Sequence, residues 1–529
     1  MKKLLCLLLA FSLLGAVSCG GNNEDNNSSS VPAGTDSVIT ETSTPTGTST
    51  DSQGGDSEYI VVPDVMDMTP EEAEQTLKDA GFEVKVREKN FDDVPEGKIA
   101  EIDLTVGESY ERGTKCFIIV SSGKTAAAKA LEYDRSDLVD ARTELSQGEN
   151  SNYEPINYEF VKAVWLSQFD MEDVYRSGTT QRSEAEFTER IKTVFGGLKA
   201  LGFNTLFVQL RPNGDSFYPS QYYCPSKYVV GMYGMDFAYD PLKIMVEEAH
   251  ALELSIHGWI NPLRCMEPTA IELVNISYGL RKFEQEHMDD YVLKFDGRLY
   301  LNPGYAEVRQ LIIDGAAEIV RYYDVDGVHI DDYFYPSGMG YEYDRAALLA
   351  QTEISDPGLF RRTSVNLLVS GIYSAVKAEN PKVLFGVSPA GSISYTRSLY
   401  ADVDTWLAND GYLDYIMPQL YTGLDAGDYS FDKRYRQWSA LIKNDNIRLI
   451  PGMDVGNAAE GATEEWRNNK DVLMSCIDYA NGYGNCDGFS LFSSASILSH
   501  ANGDRVPSTK EEIDNLMGSV AVFEDTKLD

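Results

Sequence analysis

The chain has 529 residues, room for roughly two or three domains, and its 43% apolar side chains can furnish large cores. Its 83 acidic side chains against 45 basic ones give a formal net charge of −38. That balance argues against nucleic acid or an anionic membrane surface as partner, because both are held by basic patches.

The first nineteen residues, MKKLLCLLLAFSLLGAVSC, carry two lysines, a short apolar run and small residues before Cys19. This is the layout of a secretory signal, and the run is too short to span a bilayer comfortably. The ending Ala16-Val17-Ser18-Cys19 resembles a bacterial lipobox, with alanine where leucine is usual. The resemblance implies acylation of Cys19 and an extracytoplasmic chain lipid-anchored to the bacterial cell membrane. Residues 20–57 are Gly, Asn, Ser, Thr and Asp with almost no large apolar side chain, and so read as a flexible tether. Beyond Cys6 and Cys19, the cysteines Cys116, Cys224, Cys265, Cys476 and Cys486 are scattered, odd in number and without C-x-x-C spacing. They are expected as free thiols, with a Cys476–Cys486 pair left open.

Residues 58–123 read as a small α+β module. YIVVPDVMDM predicts a strand and turn, and TPEEAEQTLKDAGF a short helix capped by Thr69 and stopped by Gly81. EVKVRE alternates like a half-exposed strand, and the stretch from VPEG to IIVSSG supplies further strands. The order VPDV, AGF, VPEG and a terminal strand ending in SSG resembles a PASTA domain. It departs from that pattern at Asp67, where glycine is usual. The resemblance implies association with cell-wall peptidoglycan, or a spacer. Residues 124–157 are Ala-rich and then polar, a partly helical linker.

From residue 158 to 505 a short β-branched strand alternates with a helix. Strands are predicted at 160–169, 203–212, 254–263, 326–334, 383–391, 413–421, 447–455 and 486–494, with a helix at 184–201 opened by a Ser183/Glu186 capping box. Eight strands with intervening helices are the arithmetic of a (β/α)8 TIM barrel. No G-x-G-x-x-G follows the first strand, which disfavours a doubly wound sheet. Residues 506–529 are read as a C-terminal tail.

In such a barrel the chemistry sits at the C-terminal strand ends. Side chains alternate along a strand, so in DGVHIDDYF the apolar Val328 and Ile330 face the helices while His329, Asp331 and Tyr333 face inward; Asp332 falls where the strand ends. By the same rule Gln209 and Arg211, then His257, Trp259 and Asn261, then Gln419 and Tyr421 point in, with Asp215, Arg264 and Asp454 close by. Each histidine or arginine alone fits a structural role; their convergence on one rim predicts a site. Aspartates, amides and aromatic faces are the composition of a carbohydrate groove, and glycoside hydrolysis needs one ionised and one protonated carboxyl. Asp331, Asp332 and Asp215 can supply them, since crowding raises the pKa of one carboxyl. Paired aspartates also bind metals, but no His/Cys set at ligand spacing accompanies them, so neither a metal nor a cofactor is expected. No G-x-S-x-G or P-loop argues for acyl or phosphoryl transfer.

KAVWLSQFD, VQLRPNGDSFYPS, HGWINPLR, LNPG, DGVHIDDYFYP and MPQLY, in this order, resemble the glycosyl hydrolase-like 10 family. The resemblance implies a (β/α)8 glycosidase acting on peptidoglycan glycan strands stripped of their peptides. Its acidic positions fall on Asp331 and Asp332, and on Asp215 beside Arg211. Gln209, Asn261, Arg264, His329, Tyr333, Gln419 and Tyr421 would form sugar subsites. Asp331 would be nucleophile or oxocarbenium stabiliser; alternatively a sugar N-acetyl group attacks, with Asp331 as polariser and Asp332 as general acid. Another exopolysaccharide as substrate, or a non-catalytic glycan-binding wall scaffold, remain the competing expectations.

Overall fold

A computed structural model describes residues 59–89, 91, 94–123, 153–352 and 354–528. The signal segment, Cys19 and the tether lie outside the described residues, as does most of the linker. The N-terminal module places helix Pro70–Ala80 on a three-stranded sheet of Glu83–Lys89, Lys115–Ser121 and Ile99–Ile102. Thr69 and Glu72 form the expected capping box, and Gly81 ends the helix at φ 107°, a left-handed turn that glycine adopts without strain. Ala73, Leu77, Ile118 and Val120 make its core.

The larger part is a parallel barrel. Its strands are β1 (Val161–Leu166), β2 (Thr205–Arg211), β3 (Ser255–Ile260), β4 (Gly327–Ile330), β5 (Leu384–Val387), β6 (Tyr415–Ile416), β7 and β8 (Gly488–Phe492). Strand β7 comes in two pieces, Arg448–Leu449 and Gly452–Asp454, around Pro451. The first piece pairs with β6 and the second with β8, so the sheet closes on itself at β7. The principal helices after β1 to β8 are α1 (Glu184–Ala200), α2 (Pro241–Ala251), α3 (Ala306–Tyr322), α4 (Pro357–Glu379), α5 (Val403–Trp406), α6 (Phe431–Leu441), α7 (Val472–Tyr483) and α8 (Lys510–Ser519). The β-branched and aliphatic faces of the strands meet the apolar stripes of these helices in one continuous core.

Two segments expected to lie outside the barrel belong to it. Residues 153–157 strap its lower face: Tyr153 Oη and the Ile156 N–H donate to the buried Asp326 carboxylate at 2.6 Å each, and Asn157 Nδ2 donates to the Asp326 carbonyl at 3.0 Å. The predicted tail holds α8, packed on α7, and its last residues run beside the strap, with the Leu528 N–H on Asn157 O at 2.8 Å. Buried Leu516 and Ile513 explain why this segment is ordered. Cys116, Cys224, Cys265, Cys476 and Cys486 are all free. No described helix is long and apolar enough to cross a membrane.

Candidate active site

The barrel interior is filled from below by rings. Trp165, Phe207, Trp259, Tyr415 and Met417 form its apolar layer. His257 and His329, both buried, share the Tyr415 hydroxyl at 3.1 Å from each Nδ1. His257 Nε2 reaches Asn157 Oδ1 at 3.0 Å, and Trp165 Nε1 donates to His329 Nε2 at 3.4 Å. Gly327 and Gly386 leave the room these rings need: a Cβ there would come within 2.1 Å of His257 and Tyr415. Burial pushes the His257 pKa down to about 3 and holds His329 well below its usual value. Both histidines are neutral core groups beneath the rim.

Strand β4 ends at Ile330, and Asp331 and Asp332 follow at the mouth. Asp331 is 3% exposed and bonded at both oxygens. Its Oδ2 accepts Trp259 Nε1 at 3.0 Å and Asn261 Nδ2 at 2.5 Å, and its Oδ1 accepts the Tyr333 N–H at 3.2 Å. Asp332 accepts one weak side-chain bond, from Gln419 Nε2 at 3.3 Å, and is also held by its own backbone N–H. Burial, then the Asp332 charge, push Asp331 up to about 7 against the pull of Arg264 and the N–H donors. Burial likewise raises Asp332. Two crowded carboxyls titrate as a pair, so the pair keeps one proton close to neutrality. Three N–H donors converge on Asp331, and N–H groups favour the charged form of the carboxyl they hold.

Around the pair stand the other rim groups. Arg264 is fixed by its Nε on Pro212 O at 3.0 Å and covers the Tyr333 ring at 3.9 Å. Tyr333 is 43% exposed, so it faces the open mouth rather than the barrel axis. Gln419 also donates to Ser388 O at 3.1 Å. Tyr421 stacks on Phe492, ring centroids 6.0 Å apart, in the field of Asp454, Asp332 and Asp331, which with burial raises its phenol. Asp454, accepting the Gly456 N–H at 2.7 Å, is pushed up to about 6 by burial and stands as a third rim carboxyl.

Two expected members are elsewhere. Strand β2 carries a bulge: Trp259 stands opposite Gln209 and Ile260 opposite Arg211, skipping Leu210. The extra residue turns Arg211 outward, to lie 4.3 Å over the Tyr223 ring beside Gly315 of α3. Asp215 is fully buried in the loop after β2, accepting the Asn213 N–H at 2.8 Å and Tyr233 Oη at 3.0 Å. It organises that loop, and burial raises its pKa. Gln209 stays inside, donating to Asn261 Oδ1 at 2.7 Å and accepting the Gln168 N–H at 2.8 Å. Gln168 and Ser388 were not picked out from sequence, because each acts here through a backbone atom. Among the described residues no cluster of three His, Cys, Asp or Glu could hold a metal.

A closed parallel barrel with a proton-sharing carboxylate pair at its C-terminal mouth, among amides and aromatic faces, is the build of the barrel glycoside hydrolases. The family description "Glycosyl hydrolase-like 10" matches residues 160–467, more than half of the chain, and a PASTA domain matches residues 60–122. The chain belongs to the glycosyl hydrolase-like 10 family. It is 34% identical over 338 residues to glycosyl hydrolase YngK of Bacillus subtilis, covering 59% of this chain and 64% of that one. It is 29% identical over 371 residues to glycosyl hydrolase DigH of Escherichia coli K12, covering 63% of this chain and 82% of that one. The chain thus spans 64% of the length of the Bacillus relative. Similar solved structures include the PgaB glycoside hydrolase domain of Bordetella bronchiseptica, 10% identical at TM-score 0.43 over 70% of this chain and 99% of that one. The catalytic domain of a Paenibacillus polymyxa β-amylase is 10% identical at TM-score 0.45 over 69% and 99%.

Proposed function

We propose that the chain is a glycoside hydrolase that cuts cell-wall polysaccharide, and that its substrate is peptidoglycan glycan freed of its peptides. The observation that carries this reading is the unequal pair: Asp331, held by three N–H groups and read as the ionised member, and Asp332 next to it with one weak side-chain partner. Asp331, whose oxygens are already bonded, serves as stabiliser or polariser rather than as a free nucleophile. Asp332 is the general acid. With an N-acetylated sugar at the cleaved bond, the acetamido oxygen attacks the anomeric carbon while Asp332 passes its proton to the departing glycosidic oxygen. Asp331 accepts the acetamido N–H. Water then opens the cyclic intermediate and returns a proton to Asp332. Tyr333, Tyr421 and Phe492 offer faces for sugar rings, and Arg264 and Gln419 offer donors for their hydroxyls.

The PASTA domain supports a wall glycan over other polysaccharides: a module of that kind on the same chain raises the local concentration of its substrate. The lipobox-like Cys19 adds an anchor at the outer face of the cytoplasmic membrane. The test uses the chain from residue 58 onward, incubated with amidase-treated glycan strands, with products read by mass spectrometry. Fragments from the parent that vanish with Asp331→Asn and Asp332→Asn support the proposal, and the reducing-end sugar names the bond. No cleavage, with undiminished pull-down of strands by all three proteins, assigns a binding scaffold instead.

A further inference from the structure

Three amide and carboxyl groups stand in series at the mouth. The Gln168 N–H donates to Gln209 Oε1 at 2.8 Å, Gln209 Nε2 to Asn261 Oδ1 at 2.7 Å, and Asn261 Nδ2 to Asp331 Oδ2 at 2.5 Å. A side-chain amide can normally turn over and exchange its donor and acceptor ends. Here it cannot, because the first member is a backbone N–H, which has only one polarity. That N–H fixes the Oε1 end of Gln209, so Gln209 meets Asn261 with its Nε2. Asn261 must answer with Oδ1, and its own N–H is left for Asp331. The backbone donor is itself fixed. Gln168 opens a short helix whose cap, Ser167, is held by Asp170, with the Ser167 N–H on Asp170 Oδ2 at 2.9 Å. Asp170 in turn accepts Ser493 Oγ at 2.9 Å.

We infer that Gln209 is a positioning residue that sets which way the Asn261 amide faces, and so keeps an N–H rather than a carbonyl on Asp331. Gln209 is 3% exposed and all its polar contacts belong to this series, which separates it from the sugar subsites. The inference rests on the reading of Asp331 as the ionised member of the pair.

The reversal of polarity is open to test. In Gln209→Glu the ionised carboxylate still accepts the Gln168 N–H but offers none to Asn261. Asn261 then turns its Nδ2 toward the carboxylate and its Oδ1 toward Asp331, which must hold a proton to face it. Gln209→Met, by contrast, imposes no polarity and leaves Asn261 free to keep donating. The other ionisable groups facing Asp331 are Asp332, Arg264, Tyr333 and Tyr421, and all are unchanged in these variants.

The readout is tryptophan emission against pH in the full chain. Trp259 donates to Asp331 at 3.0 Å, so its emission follows the charge on that carboxyl; its share is the part lost in Trp259→Phe. The expected result is an upward midpoint shift of about one to two pH units in Gln209→Glu, the worth of one charge-assisted hydrogen bond. In Gln209→Met the shift is less than half of that. The acid limb of kcat/KM on peptide-free glycan moves with it. In an Asn261→Leu background, Gln209→Glu adds nothing further, which separates the amide turn from the mere presence of a new charge. An unshifted Gln209→Glu overturns the inference. So does a Gln209→Met shift of equal size, or a Gln209→Glu shift that survives in Asn261→Leu. A parent protein that cleaves no glycan overturns the hydrolase reading alone, because the emission titration still decides the relay.

Discussion

Replacing Arg361 with methionine should loosen the loop that carries the carboxylate pair. Arg361 sits on α4, 1% exposed, and grips the loop after β4 from beneath. Its Nε and Nη2 bond the two oxygens of Asp344 at 2.7 and 2.6 Å, while Nη1 and Nη2 reach the carbonyls of Met339 and Gly340 at 2.8 and 2.6 Å. The rings of Tyr335, Tyr341 and Tyr400 stand 4.7, 4.8 and 5.1 Å from the guanidinium. Removing one partner of a buried, hydrogen-bonded pair costs about 3–5 kcal/mol, mostly because the other charge is left stranded. Arg361→Met therefore costs about that much, and Arg361→Met with Asp344→Leu recovers most of it. The assay is urea unfolding followed by far-UV circular dichroism, with glycan cleavage measured in parallel. A single variant within about 1 kcal/mol of the parent, against the loss expected for a buried pair, would refute the reasoning. A double variant that simply adds the two losses would do the same.

Other outcomes follow from the buried titratable groups and from the ring packing. The crowded Asp331–Asp332 pair holds one proton in the folded chain that is lost only at about pH 7, against 3.8 for a free aspartate. It therefore destabilises the fold increasingly as pH rises from 3.8 to about 7, and by a constant amount above that. Asp331→Asn should thus stabilise the protein at pH 7.5, with a ceiling of about 4 kcal/mol, and hardly at all at pH 4; a gain independent of pH counts against this. His257 works in the opposite direction, its folded pKa lowered from 6.5 to about 3. The fit of its neutral ring is kept whole above pH 6.5 and is lost as pH falls toward 3, about 3 kcal/mol of it by pH 4. His257→Asn should flatten the decline of urea midpoints between pH 7 and 4; an unchanged slope would exclude this histidine as its source. Gly386→Ala drives a methyl into the Tyr415 ring, 2.1 Å away, and should cost about 1–3 kcal/mol by overpacking; a melting temperature equal to the parent's would mean the ring layer gives way freely.

The barrel was legible because its signals are local: β-branched strands, helix caps and glycine stops recur with a period that only this architecture uses. Asp331 and Asp332 were legible for the same reason, since a strand that stops in two charges must end at a mouth. Arg211 was misplaced because strict alternation fails at a bulge, and the two-for-one pairing across Leu210 is a property of the neighbouring strand. Asp215 lies in a loop that folds back under Tyr233 and Ser226, contacts no period of residues encodes. His257 and His329 point inward as expected, but the depth of a strand position within the barrel depends on stagger between strands. Residues 153–157 and α8 look polar in isolation, and only their partners Asp326 and α7 give them a place.

The strap at 153–157 also gives the barrel a direction. The chain enters at the lower face, bonded to Asp326 where β4 begins, while Asp331 and Asp332 open at the opposite end of the same strand. A load on the strap is therefore taken up at Asp326, at the end of β4 remote from the carboxylate pair.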